Sequence, residues 1–334
     1  MGGRPRDRRE LFTVVGVGAF PRVLVDGYDS RMLRSLLKNV FADRPAPTPR
    51  EPASAGLAQE LSLRFDAAVA HWRAGRALEA VDACKALLAL APDYTSAHNL
   101  LASIQLPGEH YFRVIERVHA HLRPRTYLEI GVARGDSIRL AGPDTRAIGV
   151  DPEPGVAFPL GPNVSIVAET SDAFFAGRDV RAQLGGLPVD LAFIDGMHQF
   201  EFALRDFMNI EALCAPSATI LIHDVYPLDE RTAARERVTQ FWSGDIWRLV
   251  LLLRKHRPDL VVRTVAAAPT GLAVVRNLDP RSTYIHDRLD ALVAEYLAVD
   301  FSTLTSGKAE QLALVPNDWA QIRALLDAPV SPGR

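Results

Sequence analysis

The chain has 334 residues, 48% of them hydrophobic and 23% charged, enough for one large core plus a smaller domain. Lys and Arg total 38 against 40 Asp and Glu, a net charge of -2 that excludes the strongly basic surface expected of a partner to nucleic acid or an anionic membrane. The longest apolar runs, such as LVLLL at 249–253, are too short to cross a bilayer.

Two cysteines, Cys84 and Cys214, sit in apolar helix-like stretches and read as buried free thiols. VVGVGAF at 14–20 is too short for a secretion signal, so a cytoplasmic, reducing location is expected. The basic cluster Arg4, Arg6, Arg8 and Arg9 reads as a solvated end.

In chain order, residues 1–57 form an arm. It has strand-like runs LFTVVGVG and RVLVDG, a short helix at 30–41, and a proline-rich linker at 42–56. Residues 58–107 read as helical. Within them, 68–102 resembles a tetratricopeptide repeat: Gly75 stands at its turn, Ala80 at a close helix contact and Pro92 at its stop. The match covers about one and a half repeats, fewer than a free-standing solenoid needs, so this segment must pack on the rest of the chain or on a second copy.

From 108 to 277 strands and helices alternate. Strands are predicted at 126–130, 146–150, 164–167, 190–194, 218–222 and 271–275. Helices are predicted at 108–121, 136–140, 172–184, 200–213, 230–241 and 245–256. Such alternation makes a doubly wound, Rossmann-like α/β domain with ligands at the carboxyl ends of the strands. Residues 278–334 add a C-terminal helical extension, with amphipathic segments at 284–297 and 317–328, the second capped by Asn317 or Asp318.

The chemistry gathers at strand ends. TYLEIGVARGDS (126–137) leaves a strand through Gly131, with Gly135, Asp136 and Ser137 behind it. Aligned on Gly131, the later glycines of a dinucleotide fingerprint would fall on Ala133 and Asp136, which argues against a pyrophosphate cofactor and so against a dehydrogenase. Asp151 ends the next strand, where a carboxylate can hold both hydroxyls of a ribose. Glu169, Thr170 and Ser171 follow the third strand, within reach of an adenine edge, and Asp172 is a candidate helix cap. Asp195 and His198 follow the fourth strand and His223 and Asp224 the fifth. Together they offer a carboxylate–imidazole cluster able to hold a divalent cation. Glu201 and Asp206 read as first-turn and solvent-face charges, and Tyr226 as a border of the substrate pocket.

These segments, over 110–277, resemble a class I S-adenosylmethionine-dependent methyltransferase. Glu129 and Gly131 match its first motif, Asp151 its ribose-binding acid, 168–172 its adenine region and Asp195 its fourth motif. The resemblance implies S-adenosylmethionine held by Glu129, Gly131, Ser137, Asp151, Glu169, Thr170, Ser171 and Asp195. Residues 193–227 further resemble the group of macrolide-sugar O-methyltransferases and cephalosporin-hydroxylase-like proteins, and Asp195-Gly196-Met197-His198 matches the Asp-Gly-x-His segment of those related to the macrolide enzymes. That likeness implies a metal set of Asp195, His223 and Asp224, with His198, or His223, taking the acceptor's proton. Where the macrolide enzymes have Glu-Asp, this chain has His223-Asp224. Magnesium is implied by the resemblance; the imidazole tilts the site toward manganese, iron or zinc. WSGDIW at 242–247 matches another segment of the broad family, in which Trp242, Asp245 and Trp247 serve either core packing or a substrate wall.

The reading is therefore an O-methyltransferase acting on a hydroxyl of a sugar or natural-product small molecule, and assembling as a homo-oligomer. An N- or carboxyl-methyltransferase of the same fold, or a non-catalytic interaction protein using the helical segment, are the alternatives.

Overall fold

The computed structural model describes residues 52–329. The strands and helix expected before residue 42, and the linker up to residue 51, lie outside the described residues. The last part of that expected linker is helix: α1 spans Pro52–Arg73. Proline suits the first helical position, because its missing N–H is one that the helix leaves unpaired there in any case.

Helices α2 (Ala77–Leu90) and α3 (Thr95–Gln105) follow, with Gly75 at φ +73° turning the chain between α1 and α2. Phe65, Val69, Cys84, Leu87, Leu100 and Leu101 form their shared core, and Leu228 and Phe241 of the α/β domain complete it. The helical segment is thus docked on its own chain. The family match described below does not reach these helices, so the tetratricopeptide resemblance rests on sequence alone.

Helix α4 (Tyr111–Leu122) buries Tyr111, Val114, Ile115 and Val118, one stripe at helical spacing. An eight-stranded sheet follows: β1 Thr126–Ile130, β2 Arg146–Val150, β3 Val164–Val167, β4 Val189–Ile194, β5 Cys214–His223, β6 Val261–Val265, β7 Leu272–Arg276 and β8 Leu314–Val315. Their order is β3-β2-β1-β4-β5-β7-β6-β8; β1 to β5 pair in parallel, and β7 runs antiparallel to β5 and β6. The order reverses between β1 and β4, which opens a crevice at their carboxyl ends.

Side chains alternate across the sheet. Leu128, Ile130, Ala192, Ile194, Ile220 and Ile222 enter one core layer, while Tyr127, Leu191, Phe193 and Leu221 enter the other with α4. Each such Leu, Ile or Phe contributes roughly 1.5–3 kcal/mol by leaving water.

The remaining helices are α5 (Ser171–Gly177), α6 (Val180–Gln183), α7 (Phe200–Leu213), α8 (Trp247–His256), α9 (Leu289–Leu297), α10 (Lys308–Gln311) and α11 (Trp319–Asp327). Asp318 rather than Asn317 caps α11, accepting from the Gln321 amide at 2.9 Å. The helix predicted over 172–184 is two helices, because the Asp179 carboxylate caps a new start at Val180, accepting from the Ala182 amide. The helix predicted over 136–140 is only a 3₁₀ turn at Ile138–Leu140.

No helix forms over 230–241. Asp229 accepts from the Thr232 amide at 2.8 Å, and the Thr232 carbonyl receives Ser243 instead of a residue one turn on. Strands β6 and β8 were not predicted: VVRTV runs into a stretch of alanines that hides its ends, and β8 is two residues long. Among the described residues no helix is long and apolar enough to cross a membrane.

Candidate active site

The turn after β1 is built on contact. Gly131, at φ +87°, lies against the backbone of Asp195, so that any side chain there would collide with the Asp195 carbonyl. The Asp195 amide donates to the Ile130 carbonyl at 2.8 Å, tying the ends of β1 and β4 together. Asp151, at the end of β2, accepts from the amides of Val132 at 2.9 Å and Ala133 at 2.8 Å through one oxygen, and from Glu153 at 2.8 Å through the other. The proposed ribose acid therefore also holds the glycine turn in shape.

Beneath the turn, Glu129 is fully buried. It accepts from the Ser137 hydroxyl at 2.7 Å and from the Tyr127 hydroxyl at 2.5 Å. Burial pushes its carboxyl up to about 8, against those two hydrogen bonds, which favour the ionised form. Ser137 is thus a partner of Glu129 inside the fold.

Thr170, not Asp172, caps α5, accepting from the Ala173 amide at 3.3 Å. Asp172 instead pairs with Arg205. Glu169 stands beside Thr170 but is held by Arg178 through two hydrogen bonds, at 2.6 and 3.1 Å. Ser171 hydrogen-bonds Asp206.

Asp206 was expected on the solvent face of α7, and the structure corrects this: it is 2% exposed. Its Oδ1 is buried without a hydrogen-bond partner, and its side chain shares a cavity with Asp195, His198 and Asp224. Burial pushes this carboxyl up to about 7. Glu201 is held by Arg235.

The cluster expected from β4 and β5 converges. His223 Nδ1 lies 3.1 Å from Asp195 Oδ1 and 3.4 Å from Asp224 Oδ2. His198 Nδ1 lies 3.1 Å from Asp224 Oδ2, and its Nε2 lies 3.8 Å from Asp195 Oδ1. Burial acts to lower His223, but the Asp224 and Asp195 carboxylates outweigh it and raise the imidazole to about 10. Asp224 is pushed up by burial and down by His198 and His223; the imidazoles win and hold it below the usual carboxylate range.

Both His198 (φ +55°) and Asp224 (φ +61°) occupy the left-handed region, which costs non-glycine residues about 1–3 kcal/mol each. The surroundings enforce it. Gly244 packs on the His198 carbonyl, and that carbonyl accepts from the Asp245 amide at 3.2 Å. Asp245, fully buried, accepts from the Phe200 amide at 2.6 Å and so fixes the start of α7.

Sequence reasoning missed Thr270 and Tyr111. The Thr270 hydroxyl donates to Asp224 Oδ1 at 2.6 Å and lies 3.1 Å from His223 Nε2. The Tyr111 ring stacks on His223, centroids 3.8 Å apart. Neither has a local signal, since the partner lies far along the chain. Trp242 stacks on His198 at 5.2 Å, a wall rather than core. Tyr226 is buried under the Lys308 ammonium, 4.4 Å from its ring.

The residues fit a divalent cation. Asp195, His198 and Asp224 offer ligand atoms all within 4.8 Å of one another. His198 Nδ1 and Asp224 Oδ2 are buried and close, yet make no hydrogen bond. The cavity between these groups is about 10 Å³, room for one water-sized body. His223 turns the same nitrogen to both carboxylates and could close the set from the buried side.

Residues 128–225 match the family model described as a methyltransferase domain. No curated protein matches the chain. Solved structures with some likeness include the O-methyltransferase TomG from Streptomyces achromogenes, involved in tomaymycin synthesis and in complex with SAM. It is 18% identical, with 50% of this chain and 78% of that one covered, at a TM-score of 0.37. Cofactor-bound Rv0187 from MTB is 17% identical, over 75% of this chain and 98% of that one, at 0.40. An O-methyltransferase from Bacillus cereus in complex with SAH is 16% identical, over 53% and 86%, at 0.35. Scores of this size leave metal and acceptor to be argued from the chain's own residues. The matched segment spans the glycine turn, Asp151, Asp195 and Asp224, and marks residues 128–225 as a methyltransferase domain.

Proposed function

We propose that the chain methylates a hydroxyl of a small molecule, with a divalent cation held by Asp195, Asp224 and an imidazole. The observation that carries this reading is the contact of Gly131 with Asp195. It places the glycine turn and the carboxylate–imidazole cluster on the two sides of one crevice.

The cofactor would lie over the Gly131 turn, with Asp151 toward the ribose and Thr170 and Ser171 toward the adenine. S-adenosylmethionine supplies an electrophilic methyl group. Asp151 keeps part of its accepting capacity free, since three amides occupy it and a carboxylate has about four lone-pair sites. Glu129, raised by burial, is poised to ionise when a cofactor ammonium approaches.

Asp195 and Asp224 would hold the divalent cation, whose positive charge would lower the pKa of an acceptor hydroxyl. The mixed oxygen and nitrogen donors suit manganese or iron(II) at least as well as magnesium.

The imidazoles divide by access. His198 has a side chain 28% exposed and faces the cavity under Trp242, as a proton acceptor must. His223 is 7% exposed and locked between Tyr111 and Thr270, which suits a ligand or a fixed counter-charge. The protein aligns acceptor and methyl group, takes the proton at His198 and excludes water.

The test is transfer of labelled methyl from S-adenosylmethionine to a panel of hydroxyl, amine and carboxyl acceptors, with and without manganese. Metal-dependent labelling of hydroxyls supports the reading. Labelling confined to amines or carboxyls, or indifferent to chelator, contradicts it.

A further inference from the structure

A second cavity, of about 640 Å³, lies between helices α2 and α3 and the loop after β5. Its size is that of a site for a drug-sized molecule. Leu101 and Leu228 give it an apolar floor, and both are buried. Around them Lys85 and Arg231 stand against Asp229 and Glu230, so the rim carries both signs and no net charge.

His98 lines the same cavity. Its ring is 2% exposed and its Nδ1 has no hydrogen-bond partner in the fold. Burial lowers its pKa, so the ring is neutral at pH 7 and presents one donor or one acceptor.

The cavity is wired to the methyl-transfer cluster by two consecutive residues. Phe241 stacks on His98 with centroids 5.0 Å apart and planes 14° from parallel. Trp242, the next residue, stacks on His198 at 5.2 Å and 17°. The Trp242 indole donates to the carbonyl of Ala234, which lines the cavity, at 2.6 Å. Leu228 on the floor is four residues beyond Asp224, a span of at most about 14 Å of extended chain. A molecule seated here is therefore within one small-molecule length of the reacting centre.

We propose that this cavity holds the non-reacting body of the acceptor, a neutral hydroxylated small molecule with an apolar face. The inference rests on the methyltransferase reading of the adjoining site. A balanced rim gives no net attraction to an anion or a cation, while its carboxylates, cations and imidazole together pair with hydroxyls in both hydrogen-bonding senses. The helical segment then serves as the acceptor-side wall of the enzyme.

The experiment is saturation-transfer NMR on the full chain with n-octyl β-D-glucoside below its micelle concentration, and with octyl sulfate and octylammonium as charged counterparts. Ala89→Trp fills the cavity mouth from an exposed position. The neutral glucoside should bind at least fivefold more tightly than either charged probe, and Ala89→Trp should weaken it at least fivefold. Equal binding to the Ala89→Trp protein, or preference for a charged probe, overturns the proposal. S-adenosylmethionine titrated into the same samples separates the two readings. Unchanged cofactor binding in A89W is expected; a native chain that binds the glucoside but no cofactor would overturn the methyltransferase reading and, with it, the acceptor assignment.

Discussion

Gly131 and Asp195 meet backbone to backbone, with the Asp195 amide bonded to the residue before Gly131 at 2.8 Å and no room for a side chain between them. The turn proposed to carry the cofactor and the loop proposed to carry the chemistry are one packed unit. Gly131→Ala should therefore injure both. At φ +87° an alanine is strained before any collision is counted, and a loss on the order of 3 kcal/mol is expected. Thermal unfolding should show a drop of several degrees, and cofactor affinity should fall at least tenfold. An unchanged melting temperature would contradict the packing described.

Asp151 gives a second expectation. Its three amide partners make it a strut of the turn, so Asp151→Asn, which puts a donor where one amide already points, should cost about 1–3 kcal/mol of stability as well as cofactor affinity. A side chain that only held ribose would lose affinity and leave the unfolding midpoint alone. Chemical denaturation without ligand distinguishes the two.

Asp206 sets a pH dependence. Its folded pKa, about 7, lies above its unfolded value of about 3.9, so the folded state holds the extra proton. The stability this contributes is complete below about pH 4 and is lost as pH rises through 7. Asp206→Asn should flatten that decline. It should gain on the order of 4 kcal/mol at pH 8 relative to the native chain, and only about 1 kcal/mol at pH 4.5. Glu129, raised to about 8, adds a decline of the same sign that D206N leaves in place. Denaturant midpoints of both proteins from pH 4.5 to 8.5 would show this.

The two imidazoles should separate kinetically. His198→Ala removes the half-buried imidazole proposed as proton acceptor and should lower kcat about 10²–10⁴-fold with cofactor binding intact. His223→Ala leaves Asp195 and Asp224 facing each other without the buried cation between them and should cost about 3 kcal/mol of stability in metal-free protein. Added manganese should restore much of that loss. If H198A destabilises more than H223A, the roles are exchanged.

Much of this was legible in the chain. β1, β2 and β3 stand at the predicted residues, β1 buried throughout, β2 buried after Arg146 and β3, at the sheet edge, only partly buried, and α7 spans Phe200–Leu213 as its periodicity requires. The Asp195, His198, His223 and Asp224 cluster was legible because each pair directly follows a strand. Local pattern does not carry long-range pairing, however. Thr270 and Tyr111 touch His223 from 47 and 112 positions away, and nothing in their own segments marks them. Asp206 was misread because the polar face of α7 is covered by the Ser171 region and the Gly196 loop, a burial that only the tertiary fold creates. The 230–241 segment has helix-forming residues, but Thr232 and Trp242 spend its hydrogen bonds on turns.

The most direct measurement is calorimetric titration of metal-stripped protein with S-adenosylmethionine, repeated with manganese and magnesium, on the native chain and on Asp151→Ala and Asp224→Ala. Binding by the native chain, abolished in D151A, with a separate manganese heat abolished in D224A, is the expected result. Absence of cofactor binding under every condition, or binding indifferent to D151A, would contradict the assignment of the crevice between β1 and β4 as the methyl-donor site.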